Sequence, residues 1–269
     1  MAEPHFPLVV LSSMRDPSIV NDQIEAIRWS FSKFCKILVV DVLGNLNDLP
    51  VETIQLDHAT RKETEASALH ANYGIRYLLE KGFEFPYAVT LEDDALPIST
   101  NLDLVFEEVL NDQQKECLIG FVDDNPNNQK FSEKMVVFEM CKTMAFWKYT
   151  GNTAPPKYPI RTGLFVQNYQ LTKKLHKNGF YGKDVHDWPF PGSFFQSWAS
   201  NMVGANSVFL SQDLIYDPAL TPIGNLGFRE IQDKTILVNS VKNNSFFLEE
   251  EARAFFKNKR QSSKKMVSL

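Results

Sequence analysis

Tyr87-Ala-Val-Thr-Leu-Glu-Asp-Asp94 is the stretch on which the fold turns. Tyr87 to Leu91 reads as a buried strand, an apolar run that Pro97 stops from continuing. Three carboxylates, Glu92, Asp93 and Asp94, close it. Open α/β sheets place their ligand crevices at the carboxyl ends of such strands. Adjacent acids repel one another and lose hydration on burial, so they are tolerated there best when a cation compensates. Hard cations such as Mg²⁺ or Mn²⁺ take oxygen ligands and share them with phosphates. The triplet is therefore read as half of a metal–diphosphate site. In an ordinary loop the same acids are simply solvated, so the reading depends on what the upstream segments contribute.

Upstream, Leu8-Val-Val-Leu11 is a strand and Ser12-Ser-Met-Arg-Asp16 the loop leaving it. Asp16 followed by Pro17 is a helix start, an N-cap acceptor and then a residue whose missing N–H costs nothing. Val20, Ile24, Ile27, Phe31 and Phe34 recur at helical spacing as a buried face. Ile37-Leu-Val-Val40 is a second strand ended by Asp41, and Val51 to Leu56 a short third. Glu63 to Lys81 is a long helix with Ala68, Ala71, Ile75, Leu78 and Leu79 inward and Gly82 as its stop. This order predicts an α/β fold, a Rossmann-like mixed sheet flanked by helices, largely parallel in its first part.

The second half is less regular. Leu118 to Val122, Met135 to Phe138, Arg161 to Gln167 and Ser207 to Leu210 read as strands, Gln170 to Asn178 and Phe194 to Val203 as helices. Gly151 to Pro159 is a Pro-rich connection, and Lys183 to Gly192 a polar, aromatic loop with two prolines. Leu248, Ala252, Phe255 and Phe256 line one helical face, and Lys257 to Lys265 reads as a frayed basic tail. The expected organisation is a single compact domain of two abutting halves. Residues 1–115 form the nucleotide-sugar half, 116–230 the acceptor half, and 231–269 the closing helix and tail.

Composition narrows the function classes. A net charge of −5 gives no broad attraction to nucleic acid or anionic membranes. No apolar stretch reaches the ~20 residues that span a bilayer, and Phe6 to Leu11 is too short for a signal core. Three widely spaced cysteines, Cys35, Cys117 and Cys141, indicate neither a disulfide framework nor a zinc knuckle. A cytoplasmic protein is expected.

The loops after strands one, two and four should converge on one crevice. The first brings Arg15, whose planar fork suits a diphosphate. The second brings Asp41, an acceptor for a base N–H or ribose hydroxyl. His70, Asn72 and Tyr73 sit on the helix before the fourth strand, where they face the nucleotide. Each also has an ordinary reading: Arg15 as a surface residue, Asp41 as a turn former, His70 as a satisfied helix residue. In the Lys183–Gly192 loop, Asp187 is the first choice for a general base and Asp184 the second; Trp188 and Phe190 are suited to stack on a sugar face.

These segments resemble the GT-A fold glycosyltransferases, which move a sugar from a nucleotide-diphosphate donor. Leu91-Glu-Asp-Asp-Ala95 matches their acidic signature, and Ala68-Leu-His-Ala-Asn-Tyr-Gly74 is similar to the Asn-any-Gly segment many carry before that strand. Phe85-Pro-Tyr-Ala-Val-Thr-Leu-Glu-Asp-Asp94 is locally similar to N-acetylglucosaminyltransferase I, as is His186-Asp-Trp188 to its Asp-Asp-Trp loop. The likeness covers roughly residues 7 to 110. It implies a UDP- or GDP-sugar donor, a carbohydrate or other hydroxyl acceptor, and Mn²⁺ or Mg²⁺. It implies Asp94 as metal ligand, with Asp93 and Glu92 on ribose or sugar hydroxyls, and His186 as a possible further ligand. One departure stands out. Gln196 and Ser197 occupy the place where many inverting members carry an acidic pair, and neither is a base. The competing expectations are a nucleotidyltransferase, whose Gly-rich loop after strand one is missing from Ser12-Ser-Met-Arg15, and a non-catalytic carbohydrate-binding relative.

Overall fold

The computed structural model describes residues 6–56, 67–92, 95–111, 115–122, 164–181, 196, 199–200, 202–211, 226–231, 234–240 and 250–267. Its centre is a seven-stranded sheet in the order β3-β2-β1-β4-β7-β6-β8. Those strands are β1 (Leu8–Ser13), β2 (Lys36–Asp41), β3 (Glu52–Gln55), β4 (Tyr87–Glu92), β6 (Cys117–Val122), β7 (Leu164–Asn168) and β8 (Asn206–Ser211). Neighbours pair in parallel except along β7, which runs against both β4 and β6. The expected Rossmann-like mixed sheet is the observed one. Strands β1, β2 and β4 are apolar almost throughout because helices cover both faces.

On one face, α1 (Pro17–Ser30) and α3 (Leu102–Asn111) pack Val20, Ile24, Ile27 and Phe106 against Val9, Leu11 and Val89. On the other, α2 (Ser67–Glu80) brings Ala71, Ile75 and Leu78 onto the side of Leu8, Val10, Leu38 and Val40, and α4 (Tyr169–Lys177) brings Leu171 and Leu175 to the same cluster on the side of Ala88, Leu118 and Phe165. Gly74 sits at the closest approach of α2 to the sheet. A Cβ there would lie 2.8 Å from Val40 Cγ2, 3.0 Å from Val10 Cγ1 and 3.1 Å from Leu38 Cδ2. Overpacking of this kind costs about 1–3 kcal/mol, against the about 1 kcal/mol that alanine gains over glycine in a helix. Gly74→Ala is therefore expected to lower the melting temperature; an unchanged or higher value would show α2 free to lift off the strands.

Several expectations are corrected. Asp16 occupies the N-cap of α1 in an extended conformation, but its side chain makes no capping hydrogen bond. Helix α1 ends at Ser30 with Phe31 as C-cap, so Phe34 leaves the helical stripe. It is 65% exposed and meets Phe6 edge-on. Pro97 does not simply end the chain's extended run. Ala95–Pro97 forms a short strand, β5, which pairs with β10 (Lys234–Ser240), itself paired with β9 (Leu226–Ile231), in a separate three-stranded sheet. The basic tail is not frayed: α5 spans Glu250–Val267. Its Phe256 is buried, Phe255 is exposed, and Arg260 is buried against Asp22 of α1. Met135–Phe138, Gly151–Pro159, Lys183–Gly192 and Leu248 lie outside the described residues.

Candidate active site at the carboxyl edge

Strand register decides which residues meet. Ser12 lies opposite Glu92 across the β1–β4 pair, and Ser13 opposite Asp41 across β1–β2. The carboxyl ends of β1, β2 and β4 thus stand level at one edge, as the α/β order requires. The chain leaves the large sheet at Glu92 and enters the small one at Ala95, so the acidic triplet spans the junction between them. Asp93 and Asp94 lie outside the described residues, and Glu92 is half-buried.

The junction is held from α1. Gln23, buried in the stripe of Val20, Ile24 and Ile27, donates from Nε2 to the carbonyl of Glu92 at 3.1 Å and to that of Ala95 at 3.0 Å. Its two N–H groups therefore bracket Asp93 and Asp94. Sequence periodicity places Gln23 on an apolar face, and a polar residue in that position was the available signal of a role.

At the end of β1, Ser12 and Ser13 are buried, and Ser13 Oγ accepts from the Arg15 amide at 3.0 Å. Arg15 is half-buried beside this loop. Asp41 is buried at the end of β2, and its carboxylate is a turn former. Oδ1 accepts from the Gly44 amide at 2.6 Å and Oδ2 from the Leu46 amide at 2.9 Å. Gly44 has φ +75°, which favours glycine. With both oxygens on backbone amides, Asp41 shapes the loop after β2.

His70 and Asn72 are both fully inside the protein on α2. His70 precedes Gly74 by one turn on the sheet-facing side, and α2 runs back along the strands, so His70 is a turn nearer the carboxyl edge. Asn72 Nδ2 donates to Gln196 Oε1 at 3.1 Å, while its own Oδ1 is buried without a hydrogen bond. Gln196 Nε2 in turn donates to Gln167 Oε1, and Gln167 Nε2 donates to the Tyr181 hydroxyl at 2.7 Å and Thr172 Oγ1 at 3.1 Å. Burial pushes the Tyr181 phenol well above its ordinary value. Gln196 is thus a structural amide used at both ends. The position that the sequence resemblance marks for an acid is filled here by a network member. Tyr181 and Gln196, which bracket residues 182–195, both bond to Gln167. Asp184, His186, Asp187, Trp188 and Phe190 lie within that interval, outside the described residues.

Among the described residues no three His, Cys, Asp or Glu side chains gather as a metal cluster. The donor chemistry at the junction nevertheless suits a hard cation: carboxylate oxygens in sequence at a strand end, whose flanking carbonyls are already held by Gln23. A separate cleft of about 500 Å³ opens near the start of β2 and β3, between Phe31, Lys36 and Glu52. Its cations are engaged, Arg28 with the Pro50 carbonyl, Lys33 with Glu107 and Lys36 with Glu52, and it is remote from the carboxyl edge.

Solved structures similar to the chain include the following. CMP:2-keto-3-deoxy-manno-octonic acid synthetase complexed with CTP is similar over 77% of this chain and 89% of that one, at 8% identity and a TM-score of 0.42. No protein-family model matches the chain, and no curated relative does. No helix among the described residues is long and apolar enough to cross a membrane.

Proposed function

We propose that the protein is a metal-dependent glycosyltransferase that moves a sugar from a UDP- or GDP-sugar to a hydroxyl acceptor. The observation that carries this reading is the register that sets Ser12, Ser13, Asp41 and Glu92 level at one sheet edge, where the chain crosses to a second sheet through Asp93 and Asp94.

In this reading Asp94 holds Mn²⁺ or Mg²⁺, and Asp93 and Glu92 take ribose or sugar hydroxyls of the donor. When bound, the ion supplies Lewis-acid stabilisation for negative charge on the departing diphosphate. Arg15 pairs with the same diphosphate through its fork, a fixed positive charge where negative charge grows. The loop that Asp41 shapes borders the nucleoside, and His70 and Asn72 lie beneath it on α2. Trp188 and Phe190 stack on the sugar or acceptor, and Asp187, with Asp184 as the alternative, takes the acceptor hydroxyl's proton. His186 is a further ligand candidate. Gln196 cannot take the proton, being an amide engaged at both ends.

Incubation with Mn²⁺ and a panel of nucleotide sugars, followed by measurement of free nucleotide, tests the reading. Slow release from one UDP- or GDP-sugar, lost on chelation, is the expected outcome. Release that survives chelation would contradict the metal's role. Pyrophosphate release from a nucleoside triphosphate with a sugar or sugar phosphate would instead make the chain a nucleotidyltransferase.

A further inference from the structure

We propose that α5 is a docking surface for an anionic lipid membrane, met by its exposed cations and by Phe255. This face plays no part in the proposed reaction.

The net charge of −5 conceals an uneven distribution. Between Arg253 and Lys265 stand six cations and no acid, all on one helix. The remainder of the chain is correspondingly more acidic, so an anionic surface attracts α5 and repels the rest. Ordinary helix chemistry accounts for only part of this. Lys264 and Lys265 in the last turn complement the helix dipole, as Glu250 and Glu251 do in the first. That effect fades within a turn and does not reach Lys257 or Lys259. Arg253 with Lys257, and Arg260 with Lys264, are like charges four residues apart, a spacing that opposes a helix. Arg260 has an internal task in its pair with Asp22. The others load α5 with positive charge at some cost to the helix itself.

The seat of α5 on α1 decides which residues face outward. Phe256 and Arg260, one turn apart, are buried. Phe255, Lys257, Asn258, Lys259, Gln261 and Ser262 are exposed. The Phe255 ring meets Phe256 edge-on, with centroids 5.2 Å apart, and the residue is 38% exposed. A single exposed phenylalanine is ordinary on a protein surface. Beside Lys257 and Lys259 it has the make-up of an interfacial helix. There an aromatic ring enters the headgroup boundary while lysines stay among the phosphates. A nucleic acid duplex draws on the cations alone and gives the ring no apolar medium. Phe255 therefore favours lipid.

Sedimentation of the full chain with vesicles tests the proposal. Phosphatidylcholine vesicles are compared with vesicles of equal parts phosphatidylcholine and phosphatidylserine, at low and at high salt. Wild type is expected to bind the second kind alone and to be released as salt rises. Lys257→Gln with Lys259→Gln removes two exposed charges and leaves Arg260 in place; it is expected to weaken binding about thirtyfold. Phe255→Ser keeps every charge and is expected to weaken binding about tenfold. The lysine variant is expected to melt close to wild type, which assigns its loss to the surface rather than to folding. Equal binding of both vesicle types by wild type, binding of neither, or undiminished binding by the lysine variant would overturn the proposal. So would duplex DNA bound more tightly than the vesicles, and equally by wild type and Phe255→Ser, which would make α5 a nucleic acid contact instead.

Discussion

Asp94→Ala is expected to lower metal-dependent release of nucleotide from the donor by about 10²–10³-fold, the scale on which losing one preorganised contact to developing charge slows an enzyme. The same substitution is expected to leave the metal-free protein as stable as before, or more stable. Glu92, Asp93 and Asp94 are consecutive acids at a strand end, and without a cation their mutual repulsion opposes the folded state. Removing one relieves it. The paired measurements are nucleotide release with Mn²⁺ and the melting temperature with and without Mn²⁺. Wild type should gain stability on adding the ion, because a ligand that binds only the folded state stabilises it by mass action. The variant should lose most of that gain. A variant that keeps both its turnover and its metal-induced stabilisation would remove Asp94 from the site. One that simply unfolds would assign the residue a structural task.

Arg260→Met is expected to destabilise the protein by about 3–5 kcal/mol, the usual result of leaving one charge of a buried pair without its partner. Nη2 of Arg260 donates to Asp22 Oδ1, and both side chains are buried where α5 crosses α1. The pair is not fully satisfied: Asp22 Oδ2 and Arg260 Nη1 have no hydrogen bond. Such an arrangement recovers little of its desolvation cost, so the double replacement Asp22→Leu with Arg260→Met should be nearly neutral or mildly stabilising. Urea unfolding of the two single variants and the double gives the coupling directly. Additive single effects, with a double as unstable as their sum, would show that the two charges do not act on each other. Because total stability is commonly about 5–15 kcal/mol, the single variants are expected to sit close to the unfolding threshold. Gln23 directly follows Asp22 on α1, which places the docking of α5 one residue from the side chain bonded to the Glu92 and Ala95 carbonyls.

Much of the sheet could be read from sequence. The apolar runs of β1, β2 and β4 are unbroken because both their faces are covered, and their lengths rule out helices. The carboxyl-edge position of Glu92 follows from the parallel order alone. Other features depend on partners too distant to see. Phe34 keeps helical spacing with Phe31, yet α1 stops four residues earlier with no glycine or proline to announce it. The three-stranded sheet was hidden because Ala95-Leu-Pro97 contains a proline and is only a short strand. Its partner strand β10 lies some 140 residues on, at Lys234–Ser240. The helical continuation of α5 was masked by its charge: Lys257, Lys259 and Arg260 resemble a solvated tail until Asp22, 238 positions away, is seen to take Arg260 inside.

The site was legible in part for the same reason. Strand ends announce themselves, whereas the second use of a side chain does not. Asp41 was a candidate for the nucleoside, and its carboxylate oxygens accept from Gly44 and Leu46. Gln196 stood out only as a missing acid, and its place in the chain from Asn72 to Tyr181 gives the physical reason an amide suits it. Gln23 had a signal, polarity within an apolar stripe, that periodicity alone treats as noise.

The central claim is that a divalent ion and a nucleoside diphosphate share the crevice at the carboxyl ends of β1, β2 and β4. A crystal soaked with Mn²⁺ and UDP or GDP, measured at the manganese absorption edge, tests it most directly. One anomalous peak is expected within roughly 2.0–2.3 Å of a carboxylate oxygen of Glu92, Asp93 or Asp94, with diphosphate oxygens completing its shell. Manganese and nucleotide bound together elsewhere, such as the cleft between Phe31 and Glu52, with these three acids facing solvent, would contradict it.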